Sequence, residues 1–195
     1  MPKIVDKVDK RKKIAKSTCN LFIEKGFVNI SISEIAKVAG IGKGTIYEYF
    51  KNKEDIVFEL MSCLQEDYDP RLEQNLQSSS NVKQKVISLF DLFLSDNDKV
   101  VTQRKIYKEF LAIYLNNPSK EIDTYHTNIK QKYANILTDI INEAISNKEI
   151  CKESILFIPS IFATIEGFFL INDNKKNILE YFDNLFNLLS YKETM

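Results

Sequence analysis

"AGIGKGTIYEYFKNK", Ala39–Lys53, holds Gly40, Gly42 and Gly44, three of only five glycines in 195 residues, beside Lys43 and Thr45. Two chemistries use glycine, lysine and threonine this closely. A phosphate-cradling loop needs a glycine, four residues and then Gly-Lys-Ser/Thr, entered from a strand. Here Gly44 follows Lys43, Lys37 stands where the first glycine belongs, and "SISEIAKVAG" before it is patterned as a helix. That mismatch sets nucleotide binding aside. The other chemistry is a tight turn between two short helices, the second of which lies in the DNA major groove.

The second pattern fits residue by residue. Ser31 followed by Glu34 is a capping box that starts a short helix. Gly40 ends it in a positive-φ turn. A further helix runs from about Lys43 to Phe50. Ile46 and Phe50, four apart, point back toward Ile35 and Ala39. Gly44 lacks a Cβ and lets the helix start approach DNA closely, with Lys43 and Thr45 at the exposed end. Tyr47 and Tyr49 lie off the core face, where a phenol can donate to a phosphate oxygen. The alternative for both is ordinary helix packing. Lys53 opens the next helix and adds a charge and a helix-terminus amide site.

Working outward, residues 7–25 read as one helix with Ile14, Leu21 and Phe22 inward, stopped by Gly26. Asn52 reads as the cap of a helix from Lys53 to about Gln65, and Pro70 ends or kinks any continuation. "QSSSN" (77–81) reads as a linker. Further helices are expected at about 82–95, 99–116, 119–147, 152–172 and 175–191. The fold class is all-α, about nine helices, with an N-terminal helix-turn-helix unit over 1–53 and a larger helical body over 54–195.

Formal net charge is zero, with 44% hydrophobic and 28% charged residues, so a core can be buried. The charge is uneven. Residues 1–53 carry twelve Lys/Arg against five Asp/Glu, and the rest fifteen against twenty-two. Such asymmetry points to a polyanion-binding end, the bland alternative being a solvated lysine-rich first helix. Cys19, Cys63 and Cys151 are odd in number and far apart, without zinc or disulfide spacing. They read as reduced, partly buried hydrophobes. With His126 the sole histidine, no Ser-His-Asp or Cys-His set and no metal site can be assembled. No enzyme and no cofactor are expected. The N-terminus has no apolar signal core. "ILFIPSIFATIEGFFLI" (155–171) is short for a membrane span and carries Pro159 and Glu166, so a buried core helix is expected.

At this point "SISEIAKVAGIGKGTIYEYFKNKEDI" closely resembles the signature of the tetracycline-repressor (TetR) family of bacterial transcription regulators. The matching features are Ile35-Ala36, Ala39-Gly40, Lys43-Gly44, Ile46-Tyr47, Tyr49-Phe50 and Lys53-Glu54, and "LFIEKGF" resembles the end of that family's first helix. The likeness covers roughly the first 60 residues, and "ATIEGFFLI" looks like the family's Gly-containing eighth helix. It implies that Lys43, Gly44 and Thr45 face the groove, that Tyr47, Tyr49 and Lys53 bind phosphate, and that Ser33 is a base or phosphate contact. Gly42 departs from the usual Ser or Thr cap. Glu48 departs from an aromatic or basic position, and is expected to face a lysine or solvent.

The resemblance also implies a ligand-responsive regulator, most readily a repressor, cytoplasmic and bacterial. Its partners are a palindromic double-stranded operator, a second copy of the chain and a small-molecule effector in the body. Aromatic residues at helical spacing supply pocket candidates: Phe93, Tyr107, Phe110, Tyr114, Tyr133 and Phe162, with Glu166 as a carboxylate that needs a partner. The last two helices are strongly apolar and offer a four-helix dimer interface through Phe162, Gly167, Phe169, Leu179, Phe182, Phe186 and Leu189, with protomer core as the alternative. Gly167 would allow close helix crossing. The rival functions are a helical scaffold or small-molecule-binding protein, and an enzyme with an unrecognised site.

Overall fold

The computed structural model describes the backbone of residues 3–116, 119–171 and 174–190, with side chains from Lys7 onward. The expected separators at Asn117–Pro118 and Asn172–Asp173, and the end of the last helix at 191, lie outside these residues. The described residues are helical, with one isolated bridge between Ile150 and Ser190. The all-α expectation holds.

The N-terminal elements are α1 (Lys3–Ser17), α2 (Cys19–Lys25), α3 (Ile32–Ala39), α4 (Lys43–Tyr49) and α5 (Lys53–Ser78). The single helix expected over 7–25 is divided at Thr18. That residue is fully buried and turns both its amide (3.1 Å) and its hydroxyl (2.7 Å) onto the Ala15 carbonyl. This tighter turn offsets the register between α1 and α2. Gly26 caps α2 at φ 72°, its amide on the Phe22 carbonyl. The helix expected to stop near Gln65 instead continues through Pro70 to Ser78. Proline removes one hydrogen bond, and Tyr68 and Leu72 on either side of it are buried. Asn52 caps α5 as expected, its side-chain oxygen 2.8 Å from the Asp55 amide.

The remaining elements are α6 (Val82–Leu89), α7 (Asp91–Leu94), α8 (Asp98–Asn116), α9 (Lys120–Ser146), a 3-10 turn (Lys152–Phe157), α10 (Ile158–Leu170) and α11 (Lys175–Leu189). The run expected over 82–95 breaks at Phe90, whose amide is shared by the Val86 and Ile87 carbonyls while its ring packs on Phe162 and Phe182. The run expected over 152–172 divides because Pro159 favours the first turn of a helix over its interior. The chain gathers into two compact units. One is formed by residues up to Asp69 with Asp98–Tyr125, the other by Pro70–Asn97 with residues from His126 on.

The first unit is centred on fully buried Phe22, Ile35, Ile46, Phe50, Ile56, Ile106 and Phe110. In the second, Val86, Phe90, Leu137, Ile141, Ile161, Ile165 and Phe182 are buried. The expectation that 155–171 is a buried core helix needs correction. Lys152–Leu170 is long and apolar enough to cross a membrane by length and composition, yet only 28% of it is buried. Leu156 is 74% exposed and Leu170 49%. Ile158, Ile161 and Ile165 face the core, and the opposite side of the helix is also apolar.

The capping box of α3 is complete. Ser31 Oγ accepts from the Glu34 amide (3.2 Å), and Glu34 Oε2 accepts from the Ser31 amide (2.9 Å). Lys25 Nζ adds an ion pair at 2.6 Å. Lys25, then Ser31, hold the Glu34 carboxyl down to about 2, from an ordinary 4.5. A depressed carboxyl contributes stability above its unfolded pKa and loses it as pH falls through the folded one. Glu34→Gln should therefore be less stable than the parent chain at neutral pH. The gap should close as pH falls from about 4.5 toward 2, which urea midpoints across that range would measure.

Candidate nucleic-acid interface

The helix-turn-helix is built from an apolar inner face and a bare outer one. Ile35 and Ile46 are fully buried and Phe50 nearly so. Ala36 is buried on this face as well, and Ala39 is half-buried. The turn between α3 and α4 is set by Gly40 at φ 66°, ψ 31°. Its amide reaches the Lys37 carbonyl (3.2 Å), and the Ile41 amide the Ala36 carbonyl (3.0 Å), which satisfies the end of α3.

The outer face carries Ser33, Lys43, Gly44 and Tyr47, all exposed, with Thr45 and Tyr49 half-buried. Tyr47 is 54% exposed, so packing does not explain this aromatic ring. Glu48 is exposed to solvent, one of the two outcomes expected for it. Lys43 enters no ion pair among the described residues. Two lysines of α1 behave differently. Lys12 and Lys16 pair with Glu66 and Asp67 of α5. Part of the N-terminal positive excess is thus neutralised within the unit, and Lys43 stands outside that pairing.

The three glycines differ in what demands them. At Gly40 a Cβ would meet nothing within 4 Å, so only the positive φ requires glycine. Gly42 caps α4 in ordinary extended geometry (φ −68°, ψ 150°), without a side-chain cap bond, and a Cβ there would sit 3.7 Å from Thr45 Oγ1. Neither strain nor space demands glycine. Gly44 is inside α4, and a Cβ there too meets nothing within 4 Å. Gly44 stands in the first turn of α4, so glycine there costs up to about 1 kcal/mol relative to alanine, and nothing among the described residues repays that cost. A surface outside the chain that approaches Gly44 closely would.

Lys53 is placed differently from the expectation that its ammonium meets phosphate. Its Nζ donates to the carbonyls of Phe27 (2.6 Å) and Ile30 (2.9 Å) and lies 4.2 Å from the Phe27 ring centre. Burial pushes its pKa below the ordinary lysine value. The ammonium is a structural tie, and any phosphate contact at this position falls to the amides at the start of α5. Sequence reasoning missed Arg11. Its Nε pairs with Glu59 at 2.9 Å, its Nη1 donates to the Tyr49 carbonyl at the end of α4, and its guanidinium stacks 4.4 Å from the Phe50 ring centre. The available signal was an arginine among lysines, since only the planar fork combines stacking with directed hydrogen bonds.

The effector-site expectations fall in both units. In the first, Tyr107 and Phe110 are buried, Phe110 packing edge-on to Tyr125 (5.5 Å) and Phe58 (6.3 Å), while Tyr114 is half-buried. In the second, Phe162 packs on Phe90, Phe93 on Phe169, and Lys132 lies over the Tyr133 ring. Glu166 finds the partner it needed in Lys130 (3.2 Å), with buried His126 at 3.7 Å. A surface groove of about 470 Å³ beside Lys175, Lys176, Leu179, Glu180 and Asp183 includes none of these seven residues. Of the expected dimer residues, Phe182, Phe186 and Leu189 instead fill the core of their own unit. Phe162, Gly167, Phe169 and Leu179 are half-buried, and Leu188, outside the expected set, is 69% exposed.

Residues 14–60 match the family model for bacterial regulatory proteins of the tetR family. The Fatty acid metabolism regulator protein of Bacillus subtilis (strain 168) is 32% identical over 187 residues, covering 90% of this chain and 91% of that one. Among solved structures, the transcriptional regulator FadR from Bacillus subtilis in complex with stearoyl-CoA aligns with TM-score 0.61 and 26% identity, over 91% of this chain and 96% of that one. A TetR-family transcriptional regulator from Cytophaga hutchinsonii aligns with TM-score 0.77 at 19% identity, over 94% and 96% of the two chains.

Substituting the glycines should separate fold from function. Gly40→Ala should destabilise by about 1 kcal/mol, and Gly42→Ser should stabilise by a few tenths. Gly44→Ala should stabilise by up to about 1 kcal/mol and still weaken DNA binding. Thermal midpoints alongside gel-shift titrations would show it. Unchanged DNA affinity in Gly44→Ala would contradict a close approach there.

Proposed function

Because this chain belongs to the tetR family of bacterial regulatory proteins and is a DNA-binding transcriptional regulator, we propose that it is a cytoplasmic homodimeric repressor that a small molecule releases from a palindromic operator. The division of labour is the one expected from the sequence. Residues 1–53 read DNA, and 54–195 dimerise and bind the effector. Ser33, Lys43, Gly44 and Thr45 meet base edges and nearby phosphates, Tyr47 and Tyr49 bind phosphate, and Lys53 contributes its backbone amide. The observation that carries this reading is Gly44, exposed in a helix whose own packing has no need of glycine.

The same logic supports the dimer. Gly167 also lies inside a helix, and a Cβ there would meet nothing within 4 Å. The close crossing expected at Gly167 is therefore not made by any described residue of the protomer. A second chain against Phe162, Gly167, Phe169 and Leu179 would use it, and would cover Leu170 and Leu188. Two recognition helices on a two-fold axis then match two half-sites at a fixed spacing.

The effector proposed is a long-chain acyl-CoA. The likeness to the fatty acid regulator runs over nine-tenths of both chains and so includes the body. The ligand releases DNA only if it favours the non-binding conformation.

An operator selected from a randomised duplex pool tests both parts. Stearoyl-CoA should raise the operator Kd at least tenfold, and failure to select any operator at low salt would sink the repressor reading. On that operator Tyr47→Phe should weaken binding alike for all sequences. Lys43→Ala should change the preferred bases, with about 1–3 kcal/mol of discrimination lost.

A further inference from the structure

The loop from Gly26 to Ile30 joins α2 to α3 and fixes where the helix-turn-helix begins. Its first peptide is gripped from outside residues 1–53. Glu109, half-buried on α8, accepts the Phe27 amide at 2.7 Å through Oε2. The loop is shaped around this carboxylate. Gly26 stands at φ 72°, and a Cβ there would come within 3.3 Å of Glu109 Oε2. On the other side, Lys53 takes the Phe27 and Ile30 carbonyls. The Phe27 ring is 5% exposed and stacks on Phe22 at 6.2 Å. One residue after Ile30, Ser31 caps α3.

We propose that Glu109 is a positioning residue for operator binding, which sets the start of α3, and through it the aim of α4, by holding the Phe27 amide. A carboxylate on a buried amide is among the stronger hydrogen bonds of a protein, because one partner is charged. It acts at one end of a short lever. The apolar contacts of Ile35, Ile46 and Phe50 keep α3 and α4 together, so a shift at Phe27 moves both. Glu109 adjoins Phe110, whose ring packs on Phe58 and Tyr125, so the same turn of α8 is anchored in the core of its unit. This rests on the reading of α4 as the DNA-reading helix.

The sign of a charge change separates positioning from simple electrostatics. Removing a carboxylate from a DNA-binding unit favours the polyanion through space. Positioning predicts the opposite. Glu109→Ala should bind the selected operator about tenfold more weakly, the worth of one charge-assisted hydrogen bond, with an unchanged salt slope because no phosphate contact is lost. Glu109→Gln keeps an oxygen acceptor and should recover most of that loss. Faster amide exchange at Phe27 in Glu109→Ala, with helical content retained by circular dichroism, completes the expected result. Operator binding by Glu109→Ala as tight as the parent chain or tighter would overturn the proposal, as would an equal loss in Glu109→Gln. A parent chain that selects no operator fails at the earlier step, before any variant is compared.

Discussion

The amide of Phe27 is held by a carboxylate and its carbonyl by an ammonium, and Ser31, four residues later, caps α3. Short helices such as α3 and α4 cannot hold an orientation by themselves, since isolated helices of this length are marginal in water. Their direction has to be imposed by neighbours. Lys53 imposes it from α5, Glu109 from α8, and Arg11 from α1 at the far end of α4. Three charged side chains turned inward leave the outer surface to Lys43, Thr45 and Tyr47. Lys53 therefore stabilises the shape of the reading head while lying in the stretch that reads DNA.

A second constraint runs through the glycines. Gly26 and Gly40 take positive φ and are required by the backbone. Gly44 and Gly167 sit in ordinary helix with open space beside them. Each lowers the intrinsic stability of its helix and offers nothing to the chain's own packing, which is the expected mark of a surface that another molecule approaches.

Much of this is legible in the sequence because it is written locally. The capping box, the glycine caps at Gly26 and Gly40 and the spacing of Ile46 and Phe50 depend on residues within a turn or two of each other. The missed elements depend on distant ones. Pro70 reads as an end or a kink, and α5 runs on through it to Ser78. Thr18 and Phe90 break their helices through burial that no local pattern displays. Lys53, Arg11 and Glu109 look like surface charges in a sequence that is 28% charged. Their partners lie at separations of 26, 48 and 82 residues. The apolar stripe of α11 reads as buried and is buried, but periodicity cannot say against what. Phe182, Phe186 and Leu189 therefore look available to a partner chain when they fill their own core.

We propose that the exposed face of α4, with Gly44 at its start, is the surface laid against DNA. Hydrogen–deuterium exchange on the intact chain, with and without its selected operator, tests this most directly. The account predicts that new protection is concentrated at Lys43–Tyr49 and the start of α3 around Ser33. Protection confined to α10 and α11, with these amides unchanged, would contradict it.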